Sequence, residues 1–308
     1  MMDDTARWMQ HMRRGQFGAA WRISDAVLRR LDGVTRADLP RHLQSVWSGA
    51  PLDGKRVLVR CYHGLGDTIQ FIRYMPLLRE RAAQVTVWAQ PTLVPLLLTA
   101  NGIDRVMPLH DGTPECPYDV DVEVMELPYV FRTTLETLPA AVPYFQVGAV
   151  SLGDSDLKIG IVWRGGEWDA RRDVPFSLIT QLAGVVGVTF YVLQQYPHDS
   201  ERHSRFTRIL PPDPDGLATA RIMRALDLII SIDSMPAHLA GALALPTWTL
   251  LQKDADWRWM DDRESSPWYP TMRLFRQRRS GDWQPVIARV KLELARLVEK
   301  RDNRFQVY

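Results

Sequence analysis

Short apolar runs alternate with amphipathic stretches along most of this chain, and that alternation restricts the fold more than any other feature. The run RVLVRC, Arg56 to Cys61, reads as a strand. Asp67 to Arg81 reads as a helix, because Ile69, Ile72, Met75 and Leu78 recur at near-helical spacing. Pro76 falls inside that pattern and is expected to kink or end the helix, since proline lacks an amide donor and crowds the preceding turn. Gln84–Ala89 and Asp119–Met125 read as further strands. A second series opens at Lys158 with KIGIVW as a strand, Phe176–Val186 as a helix and TFYVL as a strand. Asp215–Leu226 follows as a helix, LIISI as a buried strand and Pro236–Leu245 as a helix; PTWTLL is the next strand, and Trp283–Glu299 a closing helix.

Strands and helices alternating at this spacing predict parallel sheets with helices on both faces, and ligands at the carboxyl ends of the strands. Two such series predict two Rossmann-like α/β domains facing a cleft. A Pro-rich stretch from Pro139 to Pro143 leads into the polar segment Ser151–Asp156, which reads as the linker. The expected division is a helical extension over residues 1–50, a first domain over 51–150 and a second over 151–308. In the extension, Gly15-x-Phe17-x-x-Ala20 followed by Val27-Leu28 has the spacing of the turn and second helix of a tetratricopeptide unit. One unit cannot bury its own face, so this segment is either a helical pair packed on the main body or the end of a repeat region. Its exposed apolar positions would also suit a homodimer interface.

Composition narrows the function classes. With 308 residues and 46% hydrophobic residues the chain can fill two cores. A net charge of +2 is too even for a nucleic-acid track or an anionic membrane surface, so no nucleic-acid partner is expected. Cys61 and Cys116 lie far apart, which argues against a disulfide framework or a zinc knuckle and for a reducing cytosol. Met1–Gln10 lacks the apolar core of a signal peptide. The longest apolar run, Leu239–Leu251, is interrupted by Pro246 and too short to span a bilayer. The expectation is a cytoplasmic protein with no transmembrane segment, working from the water side even on lipid-linked material.

Three strand-to-helix junctions could carry chemistry. In the first, His63-Gly64-Leu65-Gly66-Asp67-Thr68, Gly64 and Gly66 let the backbone approach a ligand, and the helix start offers unpaired N–H groups. It is neither a G-x-G-x-x-G fingerprint nor a phosphate loop, since the third glycine and the Gly-Lys-Ser/Thr are missing. Asp67 fits two roles equally, a helix cap or a general base taking a proton from an acceptor hydroxyl. In the second, Ile232-Asp233-Ser234-Met235-Pro236-Ala237-His238, Pro236 suits a first helical turn. There the amides of Met235, Ala237 and His238 could face a pyrophosphate beside the Ser234 hydroxyl. The plainer reading is an N-cap with a buried, satisfied His238 behind it. The third, RGGEWDARRD from Arg164 to Asp173, has the glycines and arginines of a loop that closes on phosphate, or of an ordinary solvated surface. The tail Asp256–Trp283 holds four of the eleven tryptophans and reads as core packing before it reads as a stacking wall.

Five segments in order, GLGDTIQFIRYMPLL, KIGIVWRGG, LDLIISIDSMPAHLAGALALPTW, DWRWMDDRESSPWYPTMRLFRQ and GDWQPV, give the chain its resemblance. From about Leu52 to Leu297 it resembles the heptosyltransferase-like domains found behind tetratricopeptide repeats in bacterial proteins, relatives of the ADP-heptose:lipopolysaccharide heptosyltransferases. The resemblance implies a GT-B fold, an inverting transfer and no required metal or other cofactor. The substrates it implies are a nucleotide-sugar donor such as ADP-heptose and a glycan, lipid-linked or protein acceptor. The family's Gly-Asp falls on Gly66-Asp67, with Asp67 as general base. Its pyrophosphate-holding Asp-Thr-x-x-x-His falls on Asp233, Ser234 and His238, and a basic residue of the second domain's first loop on Arg171 or Arg172.

The chain departs from its relatives at four places. Ser234 replaces the usual Thr and keeps the hydroxyl, while Pro236 removes one amide from the helix start. His63 stands where many relatives have Gln, and Ala244 where relatives often have Gly, which reads as packing. Two rival functions remain: a catalytically silent nucleotide-sugar-binding or scaffold module docking partners through its helical N-terminus, and a sugar-nucleotide epimerase. The absence of G-x-G-x-x-G and of any Tyr-x-x-x-Lys pair counts against a nicotinamide epimerase.

Overall fold

The computed structural model describes residues 3–30, 47, 49–153, 156–166, 168–195, 197–198, 200–201 and 203–305. Much of the latter part of the expected extension, 31–46 and 48, lies outside these residues, as do 154 and 155 of the expected linker. The chain divides into two compact units, Met1–Gln146 with Asp256–Arg263, and Val147–Ala255 with Glu264–Tyr308.

The first unit runs α1 (Asp4–Arg13), α2 (Phe17–Arg30), β1 (Arg56–Arg60), α3 (Leu65–Phe71), α4 (Met75–Arg79) and β2 (Gln84–Ala89). It continues with α5 (Val94–Leu97), β3 (Arg105–Pro108), β4 (Val120–Glu123) and α6 (Leu127–Val130). Its four strands are all parallel, in the order β3-β2-β1-β4. Val57, Leu58 and Val59 of β1 and Val85 and Val87 of β2 are buried, as near-continuous apolar runs are in parallel sheets. The long helix expected from Asp67 is broken: Ile72–Tyr74 winds as a 3-10 turn between α3 and α4. Pro76 cannot donate to the Ile72 carbonyl and its ring presses on that turn, so the break falls just ahead of the proline. Gly102, with φ 81, crosses this place, where a Cβ would lie 2.5 Å from backbone atoms of Met75 and Pro76.

The helices α1 and α2 belong to this unit. Asp3 caps α1 by accepting the Ala6 amide, and Met12, Phe17, Ala20 and Trp21 are buried. The Trp21 indole donates to the Thr133 carbonyl at 2.7 Å. Trp257 meets Trp8 and Phe17 edge-on, at 5.8 and 6.2 Å between ring centroids, and lies nearly parallel to Phe71. These contacts explain why Asp256–Arg263 groups with the first unit, although the sequence places it in the second domain.

The second unit runs β5 (Leu157–Val162), α7 (Phe176–Ile179), β6 (Val188–Val192), β7 (Phe206–Arg208) and α8 (Gly216–Met223). It continues with β8 (Leu228–Ile232), α9 (Met235–Ala242), β9 (Thr247–Leu251), β10 (Met272–Arg276) and α10 (Gln284–Phe305). All six strands are parallel, ordered β10-β9-β8-β5-β6-β7. Ile159, Ile161, Phe190, Ile230 and Phe275 from the sheet pack with Ile287, Val290 and Leu294, a helical stripe on α10. The tail tryptophans Trp257, Trp259, Trp268 and Trp283 are all buried, as the packing reading expects. Among the described residues, no helix is long and apolar enough to cross a membrane.

The end of α9 corrects one expectation. The Leu245 amide donates to the Ala240 carbonyl and the Ala244 amide to that of Gly241, the paired bonds of a Schellman cap. Ala244 therefore occupies the left-handed position, φ 58. This position is set by backbone conformation, not by packing. Ala244→Gly should relieve this strain, less the entropy glycine gains on unfolding, for a net gain of about 1 kcal/mol. A urea midpoint that does not rise would show that the cap carries no such strain.

Candidate functional site

Each sheet has one place where strand order reverses, and there the loops leaving two adjacent strands diverge and open a crevice. In the first unit it lies between β1 and β4, and in the second between β5 and β8. All three junctions picked out in the sequence follow these strands: His63–Thr68 after β1, Arg164–Asp173 after β5, and Asp233–His238 after β8. The fourth strand end, that of β4, carries Glu123, which the sequence reading passed over.

Asp67 sits in the first turn of α3, with Gly64 at the N-cap and Gly66 inside the helix. Its Oδ2 accepts the Gly64 amide at 3.0 Å, so the capping role is present. Its Oδ1 accepts Nη2 of Arg258 at 2.5 Å. Arg258 also donates to Asp256 at 2.8 Å and lies over the rings of Trp257 and Phe71, which fixes the guanidinium. Each carboxylate oxygen can accept twice, so these bonds orient Asp67 and leave room for a substrate hydroxyl. Gln90 donates to the His63 carbonyl at 2.6 Å and accepts from the Thr68 hydroxyl at 3.0 Å, tying the loop to the end of β2.

Glu123 is level with Arg60 across the β1–β4 pair, and only 4% of the residue is exposed. Its Oε2 accepts the Met125 amide at 2.9 Å, and its Oε1 lies 3.8 Å from Nε2 of His63. Burial pushes the carboxyl up to about 8; the Met125 amide opposes the rise, and the charges of Glu126 and Asp67 add to it. The signal available in the sequence was an acid inside the apolar run VDVEV, at the end of a strand.

In the second unit the structure separates the two arginines that the resemblance left as alternatives. Arg171 is exposed and doubly bonded to Asp169, at 2.8 and 2.9 Å, and this guanidinium holds the Asp169 carboxyl far below the usual range. Arg172 instead donates Nη1 to the Asp233 carbonyl at 2.8 Å and rests against the Trp168 ring, at 4.9 Å from its centroid. A Cβ at Gly165 would come within 3.3 Å of Arg172 Nη2, so the bare glycine makes room for the guanidinium. Arg172 is thus carried to the start of α9.

Ser234 is the N-cap of α9, its hydroxyl 3.4 Å from the Ile232 carbonyl and from the Ser231 hydroxyl. The Ala237 and His238 amides reach back to the Ser234 carbonyl at 3.0 and 3.4 Å. Of the three amides expected to face a ligand, Met235 is the one that its position at the first helical residue places outside the helix's own ladder. His238 is buried, with Nδ1 3.0 Å from the Tyr269 hydroxyl and Nε2 3.9 Å from Asp233 Oδ1. It braces Asp233 from inside the unit. Gly241 lets Tyr269 lie there, since a Cβ would meet that ring at 2.4 Å.

No family model matches the chain. Protein FlbA of Caulobacter vibrioides is 25% identical over 328 residues, covering 91% of this chain and 52% of FlbA. The chain therefore spans about half the length of that curated relative. Among solved structures, ADP-heptose lps heptosyltransferase II of E. coli aligns over 80% of this chain and 99% of its own, with TM-score 0.60 and 15% identity. The E. coli heptosyltransferase WaaC with ADP aligns over 80% and 98%, with TM-score 0.53 and 13% identity. A glycosyl transferase family 9 structure from Veillonella parvula DSM 2008 aligns over 72% and 86%, with TM-score 0.55 and 13% identity. With two parallel-sheet α/β units in this order, the chain has the GT-B fold of the heptosyltransferases.

Proposed function

We propose that this protein is an inverting glycosyltransferase that moves a heptose-like sugar from a nucleoside-diphosphate donor to a hydroxyl of a glycan, lipid-linked or protein acceptor. One observation carries the reading: Arg172 is held at the start of α9, at the reversal point of the second sheet. A leaving diphosphate gains charge in the transition state, and a fixed cation beside a helix N-terminus is suited to receive it. In this reading Arg172, the Ser234 hydroxyl and the Met235 amide hold the diphosphate without a metal ion, and Asp233 and His238 brace them. The first unit supplies Asp67 as general base. Asp67 takes the proton of the acceptor hydroxyl as its oxygen bonds to the anomeric carbon, and the bond from that carbon to the diphosphate oxygen breaks on the opposite face. In this reading ADP-heptose is the donor, and the enzyme is cytoplasmic and homodimeric.

The experiment is thermal unfolding of the wild type and Arg172→Ala against ADP, UDP, GDP and ADP-heptose. A ligand at 100 times its Kd adds about 2.7 kcal/mol to the native state, so one nucleotide should raise Tm selectively. Losing a charge-assisted hydrogen bond costs about 1.5–3 kcal/mol, so Arg172→Ala should bind that nucleotide roughly 10- to 100-fold more weakly. No shift with any ligand at millimolar concentration would sink the reading. A silent binding module is the second reading, favoured by the capping bond that gives Asp67 a structural role of its own. It predicts the same shift with no turnover.

A further inference from the structure

Asp67 poses a problem as a base once it has reacted. A carboxylic acid at this place would still face the Gly64 amide and the Arg258 guanidinium, with a hydrogen of its own added and its charge lost. The proton must therefore leave before the next turnover. Besides Arg258, the charge of Asp67 is felt by Glu123, and Glu126, Cys61 and His63 lie close to Glu123 in turn. Cys61 is fully buried, and burial pushes its thiol far up, so it does not ionise. Glu126 accepts the Glu123 amide at 3.0 Å and serves as a cap. His63 differs from these: its side chain is 43% exposed, it immediately precedes Gly64, and its Nε2 lies 3.8 Å from Oε1 of the nearly buried Glu123. That oxygen has no hydrogen-bond partner within bonding distance, while its twin is held by the Met125 amide.

We propose that His63 and Glu123 form an imidazole–carboxyl pair that takes over the proton collected by Asp67 and delivers it to water. This rests on the glycosyl-transfer reading and adds to it a route for the proton. The acceptor's O–H proton moves to Asp67, from Asp67 to the His63 ring, and from the exposed edge of the ring to solvent. Nothing is oxidised or reduced, and each turnover ends in the starting protonation state. Glu123 is the positioning residue, orienting the ring through Nε2 and sharing its proton, as carboxylates behind imidazoles do. The place in the fold agrees, since both residues lie at the reversal point between β1 and β4.

The pairing is tested by following the imidazole resonances of the whole protein through a pH titration, with His63 assigned by its loss in His63→Gln. The His63 signal should respond to the ionisation of Glu123, and Glu123→Gln should remove that response. A His63 titration unchanged by Glu123→Gln overturns the pair. The role is tested by ADP release from ADP-heptose, or by the corresponding release from whichever nucleotide sugar matches the stabilising nucleotide. His63→Ala should lower kcat about 10²-fold with KM for the donor unchanged, and added imidazole should restore part of it. An undiminished kcat, or a loss that imidazole does not restore, overturns the relay. If the wild type releases no nucleotide, the glycosyl-transfer reading and the relay fail together, while the titration still decides the pair.

Discussion

Asp67→Asn is expected to lower sugar transfer by about 10²- to 10⁴-fold, the range for a lost general base, and to destabilise the fold as well. The second effect follows from the bonds already in place. The aspartate accepts from Gly64 on one oxygen and from Arg258 on the other. An asparagine can accept on one side only, and its amide then faces a donor on the other, whichever way it is turned. A lost cap costs about 0.5–2 kcal/mol. Arg258, 8% exposed, would keep Asp256 as its carboxylate partner. A total near 2 kcal/mol is therefore expected in urea unfolding. Loss of activity alone does not prove the base, because loosening of the loop could produce it.

Arg258→Met separates the two effects. It removes the ion pair to Asp67 but leaves the carboxylate and its bond from Gly64 in place. If Asp67 is the proton acceptor, Arg258→Met should lose comparable stability and far less turnover. Equal losses of transfer in the two variants would mean that Asp67 acts by shaping the loop. Near-wild-type turnover in Asp67→Asn would remove it from the reaction altogether.

Much of this fold was legible because parallel strands buried on both faces are written as apolar runs. Arg56–Arg60, Gln84–Ala89 and Leu228–Ile232 lie where the sequence places them, to within a residue. Three strands were missed: RVMP of β3, FTR of β7 and MRLFR of β10. All three are outermost in their sheets, where one neighbour suffices and charged residues interrupt the apolar pattern. The junctions stood out because glycines, prolines and helix-capping residues gather at strand ends. What they do once folded was less legible. Arg171 and Arg172 are identical letters in one run, and only tertiary contacts send one to Asp169 and the other to Asp233. Arg258 reaches Asp67 from 191 residues away, a pairing that no local pattern records. Glu123 escaped notice because a single acid beside an apolar run gives no sign of how deeply the sheet will bury it.

That burial leads to a large pH effect between the acid range and neutrality. The Glu123 carboxyl stands at about 8 in the fold, against 4.5 as its ordinary value. Between those values the folded protein holds a proton that the unfolded chain has released. The residue's contribution to stability is thus complete below about pH 4.5, falls as pH rises towards 8, and levels off above it. The full change is on the order of 3–5 kcal/mol. Glutamine keeps the shape and cannot ionise, so Glu123→Gln should match the wild type near pH 5 and exceed it by several kcal/mol at pH 9. Urea unfolding of both proteins at pH 5, 7 and 9 measures the difference. Parallel curves would mean that Glu123 is already ionised in the native state across this range. Diverging curves would establish a buried acid that weakens the fold at neutral pH, at a strand end where an apolar residue would pack without that cost. Such a group at a reversal point of the sheet, beside Asp67, is better explained by proton transfer than by packing.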